Sequence, residues 1–159
     1  MERPSELRRY ATKMTRSHAA AAALILLFAV TVLSLLFQVA VVQGDSMMPT
    51  LHDGQIALAL RHFRSLRRGD LVLVRRGSDI LIKRIAYVPG DRLGRLDEPL
   101  FQRVRDFFDC GKDPDTLIVP AGRFVVLGDN RLHSDDSRRF GPVPRQDIVG
   151  RVIAVSRIP

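Results

Sequence analysis

The chain has 159 residues, enough for one domain, and its 25 Lys and Arg outnumber 17 Asp and Glu for a formal net charge of +8. This balance suits an anionic membrane surface, and nucleic acid is not expected as a partner. The arginines are scattered through strand-like segments, with no basic helical stripe and no aromatic platform for stacking bases. The single cysteine, Cys110, excludes an internal disulfide and leaves too few thiols for a structural zinc site.

Residues 19–42 form an uncharged and almost wholly apolar run. As a helix that rises ~1.5 Å per residue, this run is about 36 Å long, enough to cross a hydrocarbon core of ~30 Å. A cleavable signal peptide would have an apolar region of roughly 7–15 residues and an A-x-A-like end, whereas this run ends in VAVVQ. The sequence therefore predicts an uncleaved transmembrane anchor over residues 19–42.

The two flanks of the predicted anchor differ in charge. Residues 43–60 contain no Lys or Arg, whereas five basic residues precede the anchor: Arg3, Arg8, Arg9, Lys13 and Arg16. Positive charge marks the cytoplasmic side of a membrane segment. We therefore expect a single-pass protein of the cell (plasma) membrane, with residues 1–18 in the cytoplasm and an extracytoplasmic domain over residues 43–159.

The part of the chain beyond the anchor has the pattern of β-structure. Turn sequences such as HDG, RGD, PGD and GDN separate six short runs rich in Val, Ile and Leu, at residues 55–60, 71–74, 80–88, 117–119, 124–127 and 148–155. Strands of this length and spacing predict a mainly β fold, with a compact β-barrel-like or folded-sheet domain behind the N-terminal transmembrane helix. Residues 94–114 are less regular and predict a short helix or a loop.

The stretch GDSMMPTL, residues 44–51, directly follows the anchor and places Ser46 close to the outer membrane surface. A serine hydroxyl is a weak nucleophile and needs a base to take its proton. His52, His62 and His133 are candidates for that base. A lysine is the alternative, provided that burial and neighbouring groups lower its pKa from about 10.4 toward neutrality.

Lys83 interrupts the apolar sequence ILIKRI at residues 80–85. Side chains alternate along a strand, so Lys83 and Arg84 are expected to face opposite sides. Arginine, which accounts for most of the basic residues here, cannot be deprotonated in a protein and cannot act as the base. Lys83 is therefore the candidate general base, and an outward-pointing surface lysine is the competing interpretation.

A polar segment, GDNRLHSDDSRRFG, follows the predicted strand 124–127 and occupies residues 128–141. As structure alone, it is a loop with Asp–Arg pairs. As part of a site, Ser134 would hydrogen-bond the lysine amine, and Asp136 would pair with Arg84 or Arg138. Buried ion pairs of this kind hold geometry more than they stabilise a fold.

Together these segments resemble type I signal peptidases, the membrane-anchored Ser-Lys endopeptidases of the S26 kind. Four motifs occur in the order of that family behind the anchor: GDSMMPTL at 44–51, RGDLV at 68–72, IKRIAYVPGD at 82–91 and the segment at 128–141. The resemblance implies that Ser46 is the nucleophile, Lys83 the general base and Ser134 the hydroxyl that orients the lysine. It also implies that neither a metal nor an organic cofactor is needed.

The same resemblance implies the reaction and its substrates. Signal peptidase I removes N-terminal signal peptides from exported preproteins, so the expected partners are membrane lipid and secretory preproteins with small residues at the first and third positions before the cut. Gly44 stands where some members have a serine that helps to bind the oxyanion, so the backbone N–H of Ser46 is expected to do more of that work. The alternatives are a specialised S26 peptidase that matures pilus or conjugation proteins, and a non-catalytic membrane-tethered binding module.

Overall fold

The structure is a computed structural model that describes residues 4–94, 105, 107 and 116–157, and it contains two units, Met1–Leu36 and Phe37–Pro159. The first unit is a helix, α1, which spans Pro4–Leu36. Its portion His18–Leu36 is long and apolar enough to cross a membrane. A helix suits this segment because its main-chain polar groups are then hydrogen-bonded within the segment, as the hydrocarbon core demands.

The helical part of the predicted anchor is shorter than residues 19–42, because α1 ends at Leu36. Phe37–Val41 form strand β1, which pairs antiparallel with β2, Ile56–Leu60. The prediction therefore extended the helix six residues too far. An apolar run suits a lipid-facing helix and a strand equally well, and the two valines of β1 favour the strand once a partner strand is available.

The second unit is a set of antiparallel strands. After β1 and β2 come β3 (Leu71–Arg76), β4 (Asp79–Tyr87), β5 (Arg92–Gly94), β6 (Thr116–Ile118), β7 (Arg123–Leu127), β8 (Val143–Pro144) and β9 (Ile148–Val155). Seven strands form one sheet in the order β1-β2-β9-β3-β4-β7-β8, and β5 pairs separately with β6. The predicted mainly β fold behind an N-terminal apolar helix is confirmed, and β1 and β8 are the edge strands of the larger sheet.

The middle of the larger sheet is covered on both faces. Val72 and Val74 of β3 belong to one buried apolar cluster together with Ile85 of β4. Leu73, between the two valines, belongs to a second cluster that includes Met47. Because both faces are buried there, β3 is continuously apolar from Leu71 to Val74 instead of alternating. A charged side chain on the neighbouring β4 must therefore reach solvent or lose hydration.

Candidate active site

Ser46 and Lys83 meet in the structure. The Nζ atom of Lys83 donates a hydrogen bond to Ser46 Oγ across 2.8 Å. Lys83 is only 3% exposed, and Ser46 is half-buried in the turn region that follows β1. The interpretation of Lys83 as an outward-pointing surface lysine is therefore wrong.

Burial lowers the pKa of the Lys83 amine below its ordinary value, because loss of hydration disfavours the charged form. The negative charges of Asp136 and Asp135 act in the opposite direction without cancelling this effect. A lowered pKa increases the fraction of neutral amine near pH 7, and only a neutral amine can accept a proton. Among the described residues, Lys83 is the hydrogen-bond partner of the Ser46 hydroxyl, and no histidine bonds to it.

Arg84, the next residue of β4, does not bond to Ser46 but forms hydrogen bonds to other parts of the chain. Its guanidinium donates two hydrogen bonds to the Asp129 carboxylate, at 2.8 and 2.6 Å, and a third to the carbonyl of Gly69 at 2.8 Å. Thr50 Oγ1 lies 3.4 Å from the same guanidinium. Arg84 therefore joins β4 to the segment that carries Ser46, to the β2–β3 connection and to the loop after β7.

Asp136 is fully buried and anchors the loop after β7. Its carboxylate accepts hydrogen bonds from the Gly128 N–H at 3.0 Å and from Arg138 Nε and Nη2 at 2.9 and 2.8 Å. Burial by itself would raise the pKa of this carboxyl, but the hydrogen bonds from Arg138 and Gly128 outweigh it and the pKa is lowered. Of the two partners that the sequence left open for Asp136, the structure has Arg138, and Arg84 binds Asp129 instead.

Ser134 lies in the same loop with a buried Oγ atom. This atom has no hydrogen-bond partner of acceptable geometry among the described residues, although it is near enough to Asp136 to help lower the pKa of that carboxyl. A Cβ atom added at Gly128 would collide with Ser134 Oγ and would lie 2.5 Å from the carbonyl oxygen of Ser46. Ser134 is thus packed next to Gly128, but its expected hydrogen bond to Lys83 is not formed in this structure.

Three residues that position residues 44–51, the serine segment, were not identified from the sequence. Asn130 donates its backbone N–H to the carbonyl of Ser46 at 3.0 Å, and Asp129 holds Arg84. Asp53 accepts the N–H of Gly44 at 2.7 Å, in a turn where the φ of +73° at Gly44 favours glycine. The available signal was the sequence GDN directly after a strand, since polar residues at strand ends commonly face a site.

A groove of about 430 Å³ opens beside the Ser46–Lys83 pair, and Met47 and Ile82 contribute apolar side chains to its lining. Residues 79–83 of β4 also line it. One edge of this part of β4 pairs with β3, whereas pairing of the other edge with β7 begins only at Arg84. Within the described chain, the β4 edge is thus open beside the groove, and an extended peptide can add to such an edge through main-chain hydrogen bonds.

Comparison with known proteins places this geometry in a family. A family model described as "Signal peptidase, peptidase S26" matches residues 15–103 and 97–156. Signal peptidase I V of Bacillus subtilis is 33% identical over 134 residues, which cover 69% of this chain and 79% of that protein. Mitochondrial ATP-independent inner membrane protease subunit 1a of Arabidopsis thaliana is 40% identical over 119 residues, which cover 70% of this chain and 66% of that protein.

A protein of Staphylococcus aureus named inactive signal peptidase IA is 33% identical over 129 residues, which cover 70% of this chain and 74% of that protein. A crystal structure of a signal peptidase I from Enterococcus faecalis has 26% identity and a TM-score of 0.42, covering 58% of this chain and 100% of that one. The family is membrane-associated and acts on secretory preproteins, and the apolar part of α1 is consistent with that location. By the extent of the family match and the shared length with these relatives, the chain belongs to the signal peptidase family, peptidase S26.

Proposed function

We propose that this chain is an active membrane-bound serine endopeptidase that removes N-terminal signal peptides from exported preproteins. Ser46 is the nucleophile and Lys83 the general base. The observation that carries the proposal is the 2.8 Å contact between Lys83 Nζ and Ser46 Oγ, made by a lysine that is almost fully buried. Proton transfer needs a base within hydrogen-bond reach and a pKa near the working pH, and the lowered pKa of Lys83 has the required direction.

The reaction is acyl transfer to serine followed by hydrolysis. Neutral Lys83 takes the proton of the Ser46 hydroxyl while Oγ attacks the scissile carbonyl carbon. The resulting ammonium gives this proton to the leaving amine as the C–N bond breaks, and the acyl group remains on Ser46 as an ester. A water molecule then gives a proton to Lys83 and attacks the ester, and Ser46 recovers its proton when the acid product leaves.

The tetrahedral intermediates carry a negative oxygen that needs hydrogen-bond donors. The backbone N–H of Ser46 donates no hydrogen bond to another described residue, which leaves it available for this oxygen. Gly44 has no hydroxyl, and its own N–H is bound to Asp53. Ser134 is the lysine-orienting residue in this proposal, because its buried Oγ lacks a partner and a buried hydroxyl needs one.

The groove supports a substrate bound in extended form along the open edge of β4. Small side chains at the first and third positions before the cut suit a groove in which Met47 and Ile82 already occupy space. In the membrane, the apolar segment His18–Leu36 is a single-pass anchor, with the residues before it in the cytoplasm and the sheet unit outside. This topology would hold Ser46 near the outer surface, where the cleavage site of an exported preprotein emerges.

Cleavage of a model preprotein in detergent tests the proposal, using the intact protein, Ser46→Ala and Lys83→Arg. We expect cleavage by the parent only. Arginine keeps the positive charge but does not give up its proton at working pH, so it cannot replace the base. A Lys83→Arg variant that melts like the parent and keeps a tenth of its activity would rule out Lys83 as the base.

The alternatives give different outcomes in the same assay. A non-catalytic binding module would show no cleavage by the parent. This outcome is tested because a similar protein of Staphylococcus aureus is named inactive signal peptidase IA. A specialised maturation peptidase would cleave precursors of pilus or conjugation proteins and leave general secretory preproteins intact. Testing both substrate classes with Ser46→Ala as the blank separates these possibilities.

A further inference from the structure

Residues 61–68, with the sequence RHFRSLRR, form most of the connection from β2 to β3 and contain four arginines, one histidine and no carboxylate. Asp70, at the end of that connection, accepts the backbone N–H of Arg67 at 2.8 Å. The five basic side chains are all exposed: Arg61, His62, Arg64, Arg67 and Arg68. We propose that this segment, the arginine connection, binds the anionic phospholipid headgroups of the membrane that holds the chain. The proposal does not depend on catalysis by Ser46 and Lys83.

The arginine connection has an inner and an outer side. Phe63 and Leu66 are partly buried and pack against the apolar cluster that contains Val72. Arg145 holds Phe63 in place, since its guanidinium lies 4.0 Å from the centre of the ring and donates to the Phe63 carbonyl at 3.2 Å. With the apolar residues fixed inward, the cations are presented outward by a preformed backbone, which lowers the ordering cost of binding.

The start of the arginine connection is tied to the end of the apolar span. Leu60 pairs with Phe37, and Arg61 Nε donates a hydrogen bond to the Phe37 carbonyl at 3.1 Å. Phe37 is covalently joined to Leu36, the last residue of the span His18–Leu36. Whatever the orientation of the helix, Arg61 therefore lies beside the point where the chain leaves that span. Charges within a Debye length, ~8 Å, of an anionic membrane surface are attracted to it.

Part of this charge is available for a ligand. Arg68 is bound to Asp91 at 2.7 Å and lies over the ring of Tyr87. Arg64 and Arg67, in contrast, form no ion pair with any residue that the structure describes. A guanidinium matches the oxygens of a phosphate with two parallel hydrogen bonds, which makes arginine well suited to a phospholipid headgroup.

The test uses the full chain with Cys110→Ser and a spin label at Ser65→Cys, within the arginine connection. A second sample carries the label at Ser78→Cys, an exposed position in the β3–β4 turn. Both are reconstituted into vesicles of phosphatidylcholine alone or of an equal mixture with phosphatidylglycerol. A nickel-chelating lipid relaxes any label that approaches the headgroups, and this relaxation is measured at low and high NaCl concentration.

We expect relaxation at position 65 to be at least about threefold stronger in the anionic vesicles and to weaken at high salt, with little change at position 78. Arg64→Gln with Arg67→Gln should remove the lipid dependence. The matched control, Arg75→Gln with Arg92→Gln, removes the same charge from exposed arginines of β3 and β5 and should keep the lipid dependence. Equal relaxation in both lipids, or equal loss in both double variants, would show a merely solvated basic surface and overturn the proposal.

Discussion

Lys83 lies opposite Val72 in the β3–β4 pairing, where a protonated amine cannot keep its hydration. Loss of hydration is the main cause of its lowered pKa, and the attraction of Asp136 and Asp135 only partly offsets it. The same burial that weakens binding of the proton increases the fraction of neutral amine beside Ser46. At this residue, a cost in stability and a larger fraction of neutral amine near neutral pH have one physical origin.

This origin makes a prediction about stability. The folded chain binds the proton of Lys83 less tightly than the unfolded chain, whose lysine has the ordinary pKa of 10.5. The free energy of unfolding should therefore rise as the pH climbs from the folded pKa toward 10.5, and the cost is fully present below the folded pKa. Lys83→Met should be inactive, yet at least as stable as the parent at neutral pH, with its advantage shrinking as the pH approaches the ordinary lysine value. Thermal melts in detergent measure this, and a parent clearly more stable than Lys83→Met at neutral pH contradicts it.

Gly128 supports a second prediction at the residue scale. A methyl group there would collide with Ser134 and with the Ser46 carbonyl, so Gly128→Ala must displace the serine segment or the loop after β7. Overpacking of this kind costs about 1–3 kcal/mol of stability, and a shift of ~1 Å at a nucleophile can cost about 100-fold in rate. Activity at a temperature well below the melting point should fall about 100-fold. Parent-like kcat/KM in Gly128→Ala would mean that the site tolerates the displacement.

Among the secondary-structure elements, the loop after β7, residues 128–141, is held as a unit by its own hydrogen bonds. Asp136 caps the short helix α2, Ser137–Phe140, by accepting the Arg138 N–H at 3.1 Å. Ser137 Oγ accepts the backbone N–H of Val126 at 2.9 Å, which ties the loop to β7. These contacts, with the Asp136 bond to Gly128, fix the segment that packs against the backbone of Ser46.

Acid should loosen this loop. The lowered pKa of Asp136 means that its charged form stabilises the fold above the ordinary carboxyl pKa of 3.8 and that this stability is lost as the pH falls toward the folded pKa. Asp136→Asn should lose about 3–5 kcal/mol at neutral pH, because Arg138 loses its charged partner. The variant should also have a shallower fall in Tm than the parent below about pH 4. Identical acid slopes for the two proteins would argue against this role for Asp136.

At the scale of the whole molecule, the proposed topology makes its own prediction. Five basic residues precede the apolar span and none lies between residues 43 and 60, so the sheet domain is expected outside the cytoplasm. In intact cells and a Cys110→Ser background, a membrane-impermeant thiol reagent should label Ser65→Cys but not Ser5→Cys. Both sites should react after the cells are opened. Labelling of Ser5→Cys alone in intact cells would show the opposite topology and contradict the prediction.

The six main strands were predictable from the sequence because each is a local run of apolar residues between turn signals. β5 and β8 were not, since their sequences, RLG and VP, each contain a single Val, Ile or Leu beside a turn-forming residue. β1 was hidden inside the predicted anchor, because its residues are apolar enough for lipid. Residues 94–114, where a short helix or loop was expected, lie outside the described residues except for 94, 105 and 107.

The sequence by itself determined that the chain has an apolar span, a β-rich unit and the residue types needed for serine chemistry, because periodicity, turn residues and motifs are local properties. Only the tertiary structure decided that Lys83 is buried against Ser46, and that Arg84 binds Asp129 while Asp136 binds Arg138. Several carboxylates were within reach of each arginine as far as sequence could tell. Pairing and burial depend on how β3, β4 and β7 are aligned, including the register shift between Ile85 and Tyr87, and such long-range alignment leaves no signature in a local stretch of chain.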